Sequence, residues 1–316
     1  MGLAAGCAGL DAVSVAAAPV AATSVTIYAK GAIGDVAPVR SIVGPATELR
    51  FPSAVAVDVH GNRYVANRAT NSVTVYSSNA RGNAAPLRTI AGARTGLNLP
   101  TGLALDARGD LYVANRSAGT ITVYAPTANG NAVPIRAIEG STTDLKEPTS
   151  IALDREQRVF VTNLAGHSVT VFANGASGDV APVRVILGKR ARLTAAFAIA
   201  VDRAGALYVV NSDDNGITGV LVFRPGANGD AAPSRIIAGP ATKLETPSGV
   251  AVDSRGGIFV SDHGGNSNAG AIRVYAKGAD GNAAPIYSIA GSATRLRPYG
   301  LTIGRTEEID VVNQAN

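Results

Sequence analysis

Residues 61–76 read GNRYVANRATNSVTVY, two segments rich in Val, Thr and Tyr separated by a polar turn. Related segments follow as GDLYVANRSAGTITVY from residue 109 and QRVFVTNLAGHSVTVF from residue 157, and looser copies start at residues 205 and 256. Short β-branched and aromatic segments bounded by turn residues are typical of β-strands. The recurrence therefore indicates a repeat protein built from strands.

A glycine turn sets the length of the repeat. It has the form Gly, then Asn or Asp, then any residue, Ala or Val, and Pro, and its glycines are spaced by 48, 48, 48, 51 and 52 residues. These glycines are Gly34, Gly82, Gly130, Gly178, Gly229 and Gly281. Because a period near 48 with strand signals throughout is typical of propeller blades, we expect one repeat array and not two independent domains.

Each repeat contains four predicted strands, named A to D in chain order. In the second unit they cover residues 54–58, 63–67, 72–76 and 87–91. Most A–B turns begin with Asp and end with Gly, as type I turns prefer, and the C–D turn has the Gly-Asn or Gly-Asp pair of tight hairpins. The inner strands are apolar at nearly every position, which predicts antiparallel blades covered on both faces.

The two ends of the chain each hold half a blade. Residues 24–28 and 39–44 read as strands C and D, and residues 299–304 and 309–313 read as strands A and B. Pairing the halves would close the ring and remove the free edges of an open array. The sequence thus predicts an all-β fold, a single six-bladed β-propeller of four-stranded antiparallel blades over residues 24–316, closed by strands from both termini.

Strand D has a different character from the inner strands. It carries Pro followed by Arg, which suits an edge strand because both residues discourage pairing with another chain. We therefore expect a solvated outer rim formed by Arg40, Arg88, Arg136, Arg184 and Arg235.

Composition limits the possible partners. The chain is 46% hydrophobic and 16% charged, with a formal net charge of +5. Nucleic-acid binding requires basic residues clustered on one face with aromatic side chains for base stacking, and the spacing offers no such cluster. We predict no nucleic-acid partner and a monomer.

The only cysteine is Cys7, within MGLAAGCAGL. The segment LAAGC resembles the end of a bacterial lipoprotein signal, although a full signal needs a longer apolar stretch before the cysteine. Either the front of the signal is missing or the resemblance is chance in an Ala/Gly-rich leader. We expect residues 1–23 to be a leader and tether, Cys7 to be a lipidation site, and the protein to be extracytoplasmic, in contact with membrane only through that anchor.

Two segments, PTGLALDARGDLYVANRSAGTITVYAP from residue 100 and PSGVAVDSRGGIFVSDHGG from residue 247, resemble NHL repeats. The repeat pattern is Pro-x-Gly-Ile-Ala-Val-Asp, Gly-Asn-Ile-Tyr-Val-Ala-Asp and x-Val-Phe/Tyr, and the resemblance covers about residues 24–314. It departs at Phe197, where the Pro is missing, and at the last A–B turn. The resemblance implies that the residue ending strand B bonds the backbone of the following turn, as short Asx side chains do. These residues are Asn67, Asn115, Asn163, Asn211, Asp262 and Asn313.

Alternating strand directions place the start of A, the end of B, the start of C and the end of D at one end of the ring, here named the top face. The second residue of Pro-x-Gly is predicted to face the channel mouth, which gives Ser53, Thr101, Thr149, Phe197, Ser248 and Tyr299. Arg68 and Arg116 project from adjacent loops, and His263 lies on the same face. We expect these residues to form a shallow ligand cup with an aromatic side and a hydroxyl side, in which the two arginines favour an anionic group.

The same residues argue against catalysis. Gluconolactonase-like and amidating-lyase-like propellers hold a divalent metal with acidic, amide or imidazole side chains, and hydroxyl and aromatic groups cannot replace them. The three histidines, His60, His167 and His263, belong to different blades. Ser248, Asp262 and His263 are the nearest approach to a catalytic triad, and we interpret them as chance neighbours.

We therefore predict an exported, non-catalytic binding or scaffolding propeller, without metal or cofactor, that recognises a protein, peptide or glycan with its top face. A lyase or hydrolase acting at the central channel is the alternative.

Overall fold

The computed structural model describes residues 23–212, 217–265 and 270–314. They form six four-stranded antiparallel sheets arranged as a β-propeller, with no α-helix among the described residues. Blades I to V follow one another along the chain, and blade VI is shared between its two ends.

Blade I contains β3 (Pro52–Val57), β4 (Arg63–Asn67), β5 (Ser72–Tyr76) and β6 (Arg88–Ile90); blade II contains β7 (Pro100–Leu105), β8 (Leu111–Asn115), β9 (Thr120–Tyr124) and β10 (Arg136–Ile138); blade III contains β11 (Pro148–Leu153), β12 (Val159–Asn163), β13 (Ser168–Phe172) and β14 (Arg184–Ile186).

Blade IV contains β15 (Ala196–Val201), β16 (Leu207–Asn211), β17 (Gly219–Phe223) and β18 (Arg235–Ala238); blade V contains β19 (Pro247–Val252), β20 (Ile258–Asp262), β21 (Ala271–Tyr275) and β22 (Tyr287–Ala290); blade VI contains β23 (Pro298–Ile303), β24 (Ile309–Asn313), β1 (Ser24–Tyr28) and β2 (Arg40–Val43). Short 3-10 turns occupy three of the D–A connections, at Pro45–Thr47, Pro240–Thr242 and Ser292–Thr294.

Blade VI confirms the predicted closure of the ring. Its sheet has the order β2-β1-β24-β23, and Ser24 pairs with Asn313. The same register joins Ser72 to Asn67 inside blade I, where the two strands are linked by a loop. The chain ends therefore meet where every other blade has its B–C loop.

Six buried clusters hold adjacent blades together, one at each seam. The seam between blades I and II, for example, combines Val73 and Val75 of β5 with Leu103, Leu111 and Val113 of the next blade. Burial on both faces of each sheet explains why the inner strands are apolar at consecutive positions. Among the described residues, no helix is long and apolar enough to cross a membrane.

The glycine turn was predicted to be a tight hairpin, and this prediction is wrong. The turn instead joins neighbouring blades. Gly82 donates its N–H to Ser41 O at 2.6 Å and accepts from Val43 N at 2.9 Å, so it continues the sheet of blade VI. The next side chain, Asn83 Oδ1, accepts from Ala46 N at 2.7 Å. Equivalent bridges occur at all six seams: Gly34–Ile289, Gly82–Ile42, Gly130–Ile90, Gly178–Ile138, Gly229–Ile186 and Gly281–Ile237.

The arginines that begin strand D also bind protein groups, so the expectation of a solvated rim is wrong. All five are half-buried. Arg40 and Arg235 donate to backbone carbonyls in the C–D loop of the following blade, at 2.7 Å to Ser78 O and 2.8 Å to Ala279 O. Arg136 and Arg184 lie over the rings of Tyr112 and Phe160 of their own blades, at 5.8 and 5.5 Å. A pattern of Pro and Arg indicated an edge strand but could not show that the next blade covers it.

Candidate functional site

A cavity of about 250 Å³ runs along the central channel and is lined by strand A of all six blades. Its walls are mainly aliphatic, with a ring of Val55, Leu103, Ile151, Ile199, Val250 and Leu301, each less than 10% exposed. All six predicted channel residues line it, and Arg116 is the only charged side chain among its described lining residues. The aliphatic ring can receive an apolar group, and the hydroxyl-bearing Ser150, Tyr299 and Thr302 also line the cavity, so polar and apolar atoms both face it.

The four hydroxyls of the channel ring already have partners across the seams. Ser53 Oγ donates to Pro100 O at 2.8 Å, and Thr101 Oγ1 donates to Pro148 O at 3.0 Å. In the same way, Thr149 Oγ1 donates to Ala196 O at 2.9 Å. Ser248 Oγ donates to Pro298 O at 3.2 Å. Each hydroxyl therefore ties its strand A to the first residue of the next strand A, and it offers a ligand at most its acceptor lone pairs.

The aromatic side of the cavity interrupts this series. Phe197 and Tyr299 are half-buried and cannot repeat the bond to the next carbonyl. At the contact between blades VI and I, here named the closing seam, Gln314 supplies the missing donor from its Nε2 to Pro52 O at 2.9 Å. The last described residue thus completes the seam that Tyr299 leaves open.

Arg68 belongs to this same contact. Its guanidinium carbon lies 5.2 Å from the ring centre of Tyr299 and 5.8 Å from that of Phe51, and its Nη2 donates to Gln314 Oε1 at 3.1 Å. The structure therefore brings Arg68 and Tyr299 together, with the rings of Phe51 and Tyr299 and the amide of Gln314 around one cation.

Arg116 is neutralised by a neighbour. Its Nη2 lies 2.8 Å from Glu147 Oε2, and its Nε donates to the same oxygen at 3.2 Å. Both groups are partly exposed, so this is a solvated ion pair of the following blade connection and contributes little to stability. An anionic ligand would have to compete with Glu147 for this guanidinium group, which weakens the expectation of an anion site at the two arginines.

The six Asx side chains that end strand B are structural. Asn67 is fully buried, accepts from Arg50 N at 3.0 Å and donates to Thr74 Oγ1 at 3.0 Å. Asp262 accepts from Glu245 N and Thr246 N at 3.0 and 2.8 Å. A bond to backbone is present as predicted, but the partner that all six share is an N–H of the preceding D–A connection. The predicted bond to the following loop is described at Asp262, which accepts from Gly264 N at 3.3 Å, and at Asn211, which donates to Ile217 O at 2.7 Å.

His263 does not form a triad with its neighbours among the described contacts. Its Nδ1 lies 3.4 Å from Pro298 O, whereas Ser248 Oγ bonds Pro298 O and Ser261 Oγ, and both Asp262 oxygens accept backbone N–H groups. The described residues also contain no group of three or more His, Cys, Asp or Glu side chains that could hold a metal ion. Cys7 and residues 213–216 lie outside the described residues.

A second cleft, of about 300 Å³, was not predicted. It lies at the bottom of the closing seam and contains the buried pair Arg63 and Asp310, with Arg40 and Glu308 beside it. One signal could have revealed it: strand B begins with two apolar residues in blade II, as Leu111 and Tyr112, but with Arg63 in blade I and with Asp310 second in blade VI.

Comparisons with known proteins agree with the fold. Residues 20–131, about a third of the chain, match the family described as Lactonase, 7-bladed beta-propeller. The chain itself has six blades. No curated protein sequence matches it at a significant level.

Several solved structures are similar to the whole ring. A streptogramin B lyase superposes with a TM-score of 0.54 at 13% identity, covering 93% of this chain and 98% of its own. Virginiamycin B lyase from Staphylococcus aureus, in an inactive form with quinupristin, gives 0.54 at 11% identity, covering 92% and 95%. A protein of unknown function from Bacteroides caccae gives 0.60 at 12% identity, covering 89% and 98%. At these identities the likeness establishes a β-propeller fold alone.

Proposed function

We propose that this protein is a non-catalytic binding propeller with NHL-like blades, which recognises a peptide segment of a protein partner with its top face. The observation that supports it most is the chemistry of the central cavity. Six aliphatic side chains form a ring in its wall beside Phe197 and Tyr299, its four ring hydroxyls are bonded across the seams, and its one described charged group is paired with Glu147. Such a cavity can hold an apolar side chain in its aliphatic ring.

The loops around the cavity suggest the charge of the partner. The connection at residues 187–195, between blades III and IV, has three exposed basic side chains, Lys189, Arg190 and Arg192, and no acidic residue. The neighbouring connection has exposed Lys146 beside the exposed acids Asp144 and Glu147, so the basic character is concentrated in residues 187–195. Opposite charges across an interface steer encounter and favour one partner over others. We therefore propose an acidic peptide that places one apolar side chain in the channel mouth.

A peptide fits this cavity better than a glycan. Sugar hydroxyls need free donors and acceptors around the ring, and the hydroxyl donors of Ser53, Thr101 and Thr149 are occupied by backbone carbonyls. Apolar pockets with a few polar groups instead suit aliphatic or aromatic side chains.

Selection from a displayed library of random peptides tests this proposal. Enriched peptides should combine acidic residues with one aliphatic or aromatic residue, and Lys189→Glu/Arg190→Glu/Arg192→Glu should reduce their binding at least tenfold. The matched control, Arg203→Glu/Arg224→Glu/Arg255→Glu, reverses three exposed charges in the A–B and C–D loops, away from the top face, and should bind normally. Peptides without acidic residues, or equal loss in both variants, would contradict it.

An enzyme is the second candidate. The match to a lactonase family over residues 20–131 and the fold shared with two lyases support a lyase or hydrolase acting at the channel. Turnover of a panel of lactones and cyclic peptide esters, measured with and without added divalent metal ions, separates the two proposals. Saturable turnover that is lost when Phe197→Ala and Tyr299→Ala are combined would favour the enzyme.

We also propose export, with acylation at Cys7, because LAAGC resembles the end of a bacterial lipoprotein signal. Expressed behind a complete lipoprotein signal, the wild type should partition with membranes and Cys7→Ser should not. Equal partitioning of both would reject lipidation.

A further inference from the structure

The closing seam differs from the other five at one pair of positions. At each of the other five seams, the second residue of strand B is aromatic. It lies in the same buried cluster as the aliphatic residue that begins strand B of the next blade. The pairs are Tyr64 and Leu111, Tyr112 and Val159, Phe160 and Leu207, Tyr208 and Ile258, and Phe259 and Ile309. At the closing seam the corresponding pair is Asp310 and Arg63.

This exchange creates a buried ion pair. Arg63 is 2% exposed and Asp310 is 1% exposed. The Nε of Arg63 donates to Asp310 Oδ1, and its Nη1 donates to Gly61 O at 3.1 Å and Ser78 O at 2.9 Å. Its Nη2 reaches Glu308 at 3.3 Å. Every nitrogen of this guanidinium group therefore has a partner.

The exchange also leaves space. Aspartate is far smaller than the tyrosine or phenylalanine it replaces, and the cleft of about 300 Å³ opens at this point of the seam. Its lining includes the exposed His60 and Arg305 at the rim and the half-buried Arg40 and Glu308 deeper inside. The volume is that of a small ligand site at the lower end of the usual range.

One polar atom of the cleft has no partner. Asp310 Oδ2 is buried and accepts no hydrogen bond from the protein, although Asp310 lines the cleft. An unsatisfied buried acceptor is costly, so a group entering the cleft with an O–H or N–H would be stabilised there. Burial raises the pKa of Asp310 more than Arg63 lowers it.

The charges of the cleft select the kind of donor. Its lining has three arginines and three carboxylates, so their formal charges cancel. A free cation or anion gains little from such a site, whereas a neutral ring with several hydroxyls can donate to Asp310 and accept from Arg40 or Arg305. We propose that the cleft of the closing seam binds a neutral sugar unit. This site is separate from the top-face site, and neither proposal depends on the other.

Binding of D-glucose, D-galactose and D-mannose to the full chain, followed by saturation-transfer NMR and calorimetry, tests the proposal. At least one sugar should bind with a millimolar Kd. Arg63→Leu/Asp310→Tyr gives this seam the residues of the other five and should weaken that binding at least tenfold, while Tyr112→Phe, at an equivalent seam position, should leave it unchanged. Binding of no sugar, or equal binding to the double variant, would overturn the proposal.

Gly304→Val provides a second variant if the double variant fails to fold. Gly304 lines the cleft, its φ is not in the left-handed region, and an added Cβ would lie 4.0 Å from Asp310 Oδ2 without a close contact. This variant should also lose sugar binding. Inorganic phosphate and methylammonium serve as charged probes, and tighter binding of either than of every sugar would contradict the assignment to a neutral ring.

Discussion

Buried tyrosines at the end of strand C anchor the D–A connections. The hydroxyl of Tyr124 donates to Thr95 O at 2.5 Å, and Tyr275 donates to Thr242 O at 2.6 Å. Tyr28 and Tyr76 make the same bond to Thr294 O and Thr47 O. Burial raises the pKa of Tyr28, Tyr76 and Tyr124 to about 12. Each ring therefore needs to remain neutral for the blade to keep its packing.

These tyrosines predict an alkaline limit to stability. Unfolded tyrosine ionises near pH 10. Because the folded pKa is higher, the stabilisation is complete below about pH 10 and is lost as pH rises through 12. Urea unfolding at pH 8, 10 and 11 should show a falling free energy, and Tyr124→Phe should make the fall shallower. Phe172 and Phe223 occupy the equivalent position in other blades, so the Phe ring fits. An identical pH dependence in both proteins would contradict this role.

The channel hydroxyls show what sequence reasoning could not reach. The sequence placed Ser53, Thr101 and Ser248 at the channel, and the structure confirms that they line it. It could not show that each hydroxyl is used, because the acceptor lies on the next blade, 47 residues further along the chain for Ser53 and Thr101. Similarly, the side chain of Gln314 donates to Pro52 O where other seams use a hydroxyl, and no sequence motif marks this glutamine.

Strand A supplies a test of these hydroxyl bonds. Thr101→Val keeps the shape of the side chain but removes the donor to Pro148 O, so the free energy of unfolding should fall by about 1 kcal/mol. Thr127→Val, on an exposed C–D loop, is the matched control and should change stability much less. Equal effects in urea unfolding would mean that the bond across the seam contributes nothing.

The bounds of the four strands in the second unit show how precisely local sequence patterns locate elements. Strands B and C of the second unit match their predicted bounds because their β-branched and aromatic runs end at clear turn signals. Strand A begins two residues earlier than predicted, at Pro52, since Pro is tolerated as the first residue of a strand. Strand D is shorter, only Arg88–Ile90, and the following Gly92 turns the chain away.

Gly92 itself predicts a sharp effect. Its φ is +125°, and an added Cβ would lie 2.5 Å from Asn131 Oδ1, which accepts from Arg94 N. Gly92→Ala should therefore lower the free energy of unfolding by about 1–3 kcal/mol through backbone strain and loss of this bond. Gly130→Ala is the control because Gly130 also has a positive φ, of +60°, but a Cβ there meets nothing within 4 Å, so only the contact with Asn131 is absent. If Gly130→Ala is the more harmful change, the contact with Asn131 does not matter.

The ring as a whole has five apolar seams and one ionic seam. Breaking the buried pair with Asp310→Ala leaves Arg63 charged and unpaired, so we expect a loss of about 3–5 kcal/mol in the free energy of unfolding. Arg63→Leu/Asp310→Tyr should recover most of it, since apolar packing often replaces a buried ion pair without loss. Arg116→Ala, which breaks the exposed pair with Glu147, should cost less than 1 kcal/mol. A double variant as unstable as Asp310→Ala would show that the seams are not equivalent.

Both proposed sites depend on blade VI, which the two chain ends build together. Strands β23 and β24 contribute Tyr299 to the channel cavity and Asp310 to the cleft. Their removal would leave β1 without its partner β24 and expose the apolar faces of blades V and I. Closure by both ends is therefore the claim on which the rest depends.

Thermal unfolding of a chain that lacks residues 299–316 tests this claim most directly. The shortened protein should lose the cooperative transition of the full chain, or unfold at least 10 °C lower, and should bind a dye for exposed apolar surface. A melting curve that coincides with that of the full chain would contradict closure of the ring by both ends.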